Sequence, residues 1–202
     1  MDQASIISRC QQGDPDAFEE LYRLHSRQAL KTAHLLYGQK GIAEDIVQEA
    51  FIQCFRSIKK LKNIEAFNSW FYQTLIRVSW RVSSKYQSVV PLDDPEEVSA
   101  EQNQDGAQEN RYNPEEFLES RETARIVRQA IGGLKQPLKT VIILFYYNHL
   151  SIAEIAKVMG CFQGTVKSRL HTAKKRLAAE LRFDFTDDVP VAYGRKECKT
   201  NA

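Results

Sequence analysis

Residues 88–116, SVVPLDDPEEVSAEQNQDGAQENRYNPEE, divide the chain into two folding problems. The stretch holds three prolines, many acids and amides and almost no apolar periodicity. It cannot bury enough surface to offset its ordering entropy, so it is expected to be a flexible acidic linker. On both sides the pattern is helical. In DIVQEAFIQCFRSI, Val47, Ala50, Phe51, Cys54, Phe55 and Ile58 recur at the spacing of one amphipathic stripe, which is expected to face a core. DAFEELYRLHSRQALKTAHLLYG supplies a long helix ending near Gly38. Another helix is expected to start near FNSWF, capped by Asn68 or Ser69, with Phe71, Leu75, Val78 and Val82 as its seam. Beyond the linker, helical periodicity returns in LKQPLKTVIILFYYNHL and in SIAEIAKVMGCFQGTVKSRLHTAKKRL. No strand alternation and no internal repeat occurs. The expected fold is therefore all-α: two small helical domains joined by a flexible acidic linker, spanning 3–87 and 117–182, with an unassigned tail over 183–202.

Charge follows the same division. Residues 1–90 carry 12 basic and 9 acidic side chains, 91–120 carry one and ten, and 121–182 carry 12 and three. A module of net +9 behind an acidic segment points to a polyanionic partner. The end of that module says how it would bind. Ile152, Ile155, Ala156 and Met159 give its first helix an apolar face, and Gly160 suits a tight connection that needs positive φ. On the next helix Val166, Leu170, Ala173 and Leu177 share a narrow arc. Ser168, His171, Thr172 and Lys175 point away from it, flanked by Lys167 and Lys174 on one edge and Arg169 and Arg176 on the other. Such a helix fits the major groove of DNA. Thr165, Lys167, Ser168 and His171 are placed to reach base edges, while Lys174, Lys175 and Arg176 neutralise phosphates.

The first block offers two further faces. Asp45, Glu49, Ile52 and Arg56, with Gln48 at the edge, lie opposite the apolar stripe of their helix. An isoleucine among charges suits protein docking, though a solvated face is the alternative on these residues alone. The following helix turns Trp70, Gln73, Arg77, Trp80, Arg81 and Ser84 away from its seam, with Lys85 at its end. Indole and guanidinium groups suit unstacked bases and their backbone; the plainer alternative is that both tryptophans cap the core edge.

In this order the segments GDPDAFEELYR, AEDIVQEAFIQCFRSI, FNSWFYQTLIR and LSIAEIAKVMGCFQGTVKSRLHTAKKRL resemble the extracytoplasmic-function (ECF) sigma factors, the small two-domain branch of bacterial sigma factors. The resemblance implies an alternative sigma factor that binds core RNA polymerase and directs promoter-specific initiation. It implies that Asp45, Gln48, Glu49 and Phe51, with the Ile52 face, dock on the β′ clamp helices. It implies that the stretch from Leu61 to Arg81 opens the −10 element. That brings forward Asn63, Phe67, Trp70, Gln73, Arg77, Trp80, Arg81 and the following Lys85 as −10 residues. It also implies that Thr165 to Arg176, Thr172 included, read the −35 element, that the second domain meets the β flap, and that the linker threads toward the RNA exit channel. A further implied partner is an anti-sigma factor covering both domains, in many relatives a membrane protein. The chain departs from the family's usual pattern at Ile76–Arg77 and at Arg81, so the resemblance carries melting but not the −10 sequence preference.

Two other classes fit less well. None of the four histidines (His25, His34, His149, His171) follows a glutamate by three residues, and the chain has no glycine-rich phosphate loop, HExxH or GxSxG. No catalytic residue, metal or cofactor is expected. A free-standing operator-binding regulator would explain 121–182 equally well, but neither the Trp/Arg face nor the EDIVQEAF patch. The four scattered cysteines, the lack of a long apolar run and an N-terminus without an apolar export region lead to the expectation of a cytoplasmic protein. The resemblance implies a monomer when free, at the nucleoid when active or held at the membrane by an anti-sigma factor.

Overall fold

The structure is a computed structural model that describes residues 2–86 and 114–181, with side chains over 2–82 and 123–181. In chain order the helices are α1 (Gln3–Gln12), α2 (Pro15–Tyr37), α3 (Lys40–Ser57), α4 (Phe67–Tyr86), α5 (Pro114–Gly132), α6 (Gln136–Ile142), α7 (Ile152–Met159) and α8 (Gln163–Leu181). No strand occurs among the described residues. The linker, apart from its last three residues, and the tail from residue 182 onward lie outside them. Pro114 opens α5, so the helix begins inside the segment expected to be linker; proline is at home in a first turn, where its missing N–H costs nothing.

Local chemistry sets the ends. Asp14 caps α2 by accepting from the backbone N–H of Asp16 and Ala17 at 2.9 and 3.2 Å. Its carboxylate also receives Arg9 from α1 at 2.8 Å, while Arg9 reaches Glu20 at 3.1 Å, which pins α1 to the start of α2. The Ala17 N–H first, and then the Arg9 guanidinium, hold the Asp14 carboxyl below its usual range. Gly38 ends α2 at φ 79 and Gly160 ends α7 at φ 62, backbone that few residues other than glycine adopt cheaply. α4 begins at Phe67, ahead of Asn68 and Ser69, after a short 3-10 turn over Ile64–Ala66.

The first four helices close around Ile7, Leu21, Leu36, Ile46, Phe67, Phe71 and Leu75, all but fully buried. Each such side chain contributes roughly 1.5–3 kcal/mol by leaving water. The last four close around aliphatic side chains, among them Leu134, Val141, Leu144, Ile155, Val166 and Leu170. Between them α6 loosens into one wide turn over Ile143–Tyr147, where the Asn148 N–H bonds back five residues to the Ile143 carbonyl at 3.0 Å.

The two expected helical domains are both present, and they also pack on one another. α4 runs against α7, and α2 meets α5, α6 and the wide turn. Asn148 Nδ2 donates to Thr32 Oγ1 at 2.8 Å, and the Tyr72 hydroxyl joins the same pair; burial pushes that phenol up to about 12. Gln28 donates to the Tyr147 carbonyl at 3.0 Å, and Lys139 to the Leu36 carbonyl at 3.4 Å.

Candidate polymerase and DNA surfaces

The outer face of α3 comes first in the chain. Taking the core stripe as centred near Val47, successive residues at about 100° place Phe51, Phe55, Gln48 and Ile52 on one flank, in that order away from the core. That flank meets α2 to form an open groove, with Phe18, Tyr22 and Leu30 on the opposite wall. Aromatic edges line it: Phe18 meets Phe55 at 4.9 Å between ring centroids, and Tyr22 meets Phe51 at 4.7 Å. Three of the expected docking residues, Asp45, Gln48 and Ile52, are exposed, and Glu49 is partly so.

Two expectations about α3 are corrected. Phe51, also expected in the core stripe, is only 4% exposed and meets Phe71 at a tilt, 4.9 Å between ring centroids, so it forms the groove's floor and not an exposed docking side chain. Phe55, assigned to the core, is 59% exposed. It stands at the edge of the apolar stripe, where the core has ended and α2 only half covers it. Tyr22 and Leu24 on α2 are also exposed and were not singled out from sequence. Their alternation with charged neighbours in EELYRLHSR looks like ordinary helix surface, and only Tyr22 of the two lines the groove.

On α4 the expected −10 residues separate. Arg77, Trp80 and Arg81 are exposed, and Arg81 lies 3.8 Å from Glu49 on α3, linking this face to the docking face. Trp70 is half-buried with its ring 5.9 Å from Phe67, so it both caps the core edge and shows one side. Gln73 donates to the Lys157 carbonyl of α7 at 2.9 Å and is occupied by the other block. Phe67 is wholly buried against His25 and Phe71, which removes it from any DNA-contacting set. Asn63 is exposed, with its side chain accepting from the Glu65 N–H at 3.0 Å. The Lys85 side chain lies outside the described residues. Burial holds the His25 imidazole below its ordinary range, and its Nε2 meets no hydrogen-bond partner among the described residues.

On α8 the four expected core residues are buried, and Lys167, Ser168, His171, Thr172, Lys175 and Arg176 are exposed. Lys174 and Arg169 are half-covered, and Arg169 reaches the Cys161 sulfur at 3.9 Å. Thr165 is half-buried in the first turn. The Thr172 hydroxyl donates back to the Ser168 carbonyl at 2.9 Å, which spends its donor inside the helix. α7 is fixed at its start by a capping box, in which Ser151 and Glu154 satisfy each other's backbone N–H. Among the described residues no helix is long and apolar enough to cross a membrane, and no His, Cys, Asp and Glu gather into a metal-binding cluster. Cys10 and Cys54 are buried free thiols, and burial pushes Cys54 up to about 12, far from a reactive thiolate.

Comparison with known proteins agrees with this arrangement. The Sigma-70 region 2 family model matches residues 21–82, and the Sigma-70 region 4 model matches 124–177. The first match thus runs from within α2 to within α4, and the second from within α5 to within α8. The ECF RNA polymerase sigma-E factor of Haemophilus influenzae is 34% identical over 184 residues, 90% of this chain and 95% of its own. That of Escherichia coli K12 is 32% identical over 85% of this chain and 90% of its own. Among solved structures, the sigma factor RpoE from Bartonella quintana, crystallised with the anti-sigma factor NepR, has the same fold at a TM-score of 0.62 and 21% identity, covering 83% of this chain and 98% of that one. An all-α chain with the two sigma-70 regions in this order, and relatives of this identity along most of its length, belongs to the ECF RNA polymerase sigma factors.

Proposed function

We propose that the chain divides initiation between its two blocks. Residues 3–87 dock on core polymerase and open the −10 element, residues 117–182 read the −35 element as duplex, and the linker over 88–116 joins them. Docking uses the groove of α2 and α3, with Gln48 and Ile52 on its rim and Phe55 within it, fitted to the β′ clamp helices. Melting uses Trp70, Arg77, Trp80 and Arg81, where a displaced base finds a stacking ring and a charged partner for its backbone. Read-out uses the outer face of α8, and the same block meets the β flap. The protein works in the cytoplasm and needs no cofactor, since it makes and breaks no bond. It is a monomer when free, restrained by an anti-sigma factor, a reading supported by the fold it shares with the RpoE solved with NepR.

The observation that carries the reading is the groove. Aromatic and aliphatic side chains stand in water there, on a surface that an operator-binding protein would not need. Core RNA polymerase incubated with fragmented genomic DNA tests it. Transcripts from discrete start sites should appear only when this protein is added. Tight, specific binding of a duplex by the protein alone, with no transcripts in the presence of core, would overturn the reading in favour of a free-standing regulator.

A further inference from the structure

Phe162 has no role in anything described so far. It is 87% exposed, the largest exposure of any large apolar side chain among the described residues, and it stands in the turn between α7 and α8. Its backbone is not loose. The Phe162 carbonyl accepts from the N–H groups of Thr165 and Val166 at 2.9 and 3.2 Å, closing the first turn of α8. On its other side the Cys161 N–H bonds to the Ala156 carbonyl at 3.0 Å, and the Cys161 sulfur receives Arg169. The phenyl ring is thus held out into solvent by a fixed turn, at the entrance of the helix with the basic outer face.

A second observation lies two residues on. Gly164 is exposed in the first turn of α8, its φ is not left-handed, and no atom lies within 4 Å of where a Cβ would stand. Nothing inside the described chain requires glycine there, and glycine weakens a helix relative to alanine. Gly164, Ser168, His171 and Lys175 follow the spacing i, i+4, i+7, i+11, so the bare position is the leading end of the outward stripe. A missing side chain at the head of that stripe suits close approach of another molecule's surface, and Phe162 flanks the gap.

We propose that Phe162 is a specificity-determining residue for promoter read-out, its ring lying against the C5-methyl of a thymine at the end of the upstream element nearest the α8 N-terminus. The inference rests on the reading that α8 enters the major groove. Its chemistry is narrow. A phenyl ring can neither donate nor accept a hydrogen bond to a base edge, and the thymine methyl is the apolar group that the major groove presents. The charges of Lys174, Lys175 and Arg176 bring the backbone in; the ring distinguishes one base pair by a methyl group.

The test uses the full chain with core polymerase on a promoter recovered from the run-off experiment. Each thymine of the upstream element, on either strand, is replaced singly by deoxyuridine, which removes only the methyl. Promoter affinity is then measured for the wild type, Phe162→Ala and Lys175→Ala. One position should cost the wild type and Lys175→Ala about four-fold and leave Phe162→Ala unchanged. Phe162→Ala on the unmodified promoter should lose a similar factor. If no deoxyuridine position matters to the wild type, the proposal is overturned. The same holds if Phe162→Ala keeps the wild-type sensitivity at the sensitive position. A uniform loss by Phe162→Ala on methylated and unmethylated promoters alike would place the ring against polymerase instead. Absence of any transcript in the run-off assay would sink the sigma-factor reading itself, whereas transcripts without this coupling would sink only the role of Phe162.

Discussion

The first four helices and the last four bury different kinds of side chain and so present different kinds of surface. The first block packs Phe51, Phe67, Phe71 and Tyr72 into its core and leaves the edge of that aromatic cluster open as the groove of α2 and α3. The buried apolar side chains of the second are aliphatic among the described residues, and α8 presents amines, guanidiniums and hydroxyls. One surface suits a partner recognised by shape and apolar fit; the other suits a polyanion recognised by charge. Salt should therefore separate them, since screening weakens phosphate contacts far more than apolar ones.

The sharpest way to break the comparison is to change two phenylalanines on the same helix. Phe51→Ala removes a buried ring and should cost about 3–5 kcal/mol of stability in a urea titration. Phe55→Ala should change stability by less than about 1 kcal/mol, while weakening binding to core polymerase. Equal stability losses would mean that the groove is closed core. Between the blocks, Asn148→Ala leaves Thr32 and the buried Tyr72 hydroxyl short of a partner and should cost about 1–3 kcal/mol. Resonance energy transfer between dyes on the two blocks should report their greater separation in that variant; unchanged transfer would show that this contact does not hold them together.

Acid should act on the first block before the second. Burial holds the His25 imidazole below its ordinary pKa, so the unfolded chain takes up a proton at a higher pH than the folded one does. The stability due to a neutral His25 is fully present above about 6.5 and declines as pH falls through the folded pKa. His34 is shifted the same way, by burial first and then by Arg128. The drop in Tm between pH 7.5 and 5.5 should therefore shrink in His25→Leu without vanishing. A drop as large as in the wild type would remove His25 from the account. The smallest effect is expected on α8, where Lys175→Ala should reduce the slope of log affinity against log salt by about 0.9 on any duplex. Lys167→Ala should act mainly by relaxing preference for the upstream sequence.

Much of this was legible in the residues because helical periodicity, glycine caps and the order of motifs act locally. The buried stripe of α8, its exposed row and the turn at Gly160 follow from spacing alone. What was not legible depends on neighbours distant in sequence. Phe55 in the last turn of α3 and Phe67 at the start of α4 are the same residue near a helix end, yet α2 half-covers one and His25 and Phe71 enclose the other. A one-dimensional stripe has no means of marking where the core ends. Gln73 shows the same limit, since its occupation depends on a carbonyl 84 positions away. The packing of the two blocks was missed because an acidic linker predicts freedom between them and carries no sign of Asn148 meeting Thr32.

The central claim is that polymerase docking belongs to the groove and not to the basic helix. The direct measurement is the affinity of Ile52→Asp/Phe55→Ala for core polymerase, read beside its affinity for a promoter duplex at the same salt. Both positions are exposed, so the variant should fold, which circular dichroism checks. The account expects binding to core to fall at least about ten-fold, the loss of two apolar contacts, with duplex binding unchanged. A variant that binds core as the wild type does would contradict it.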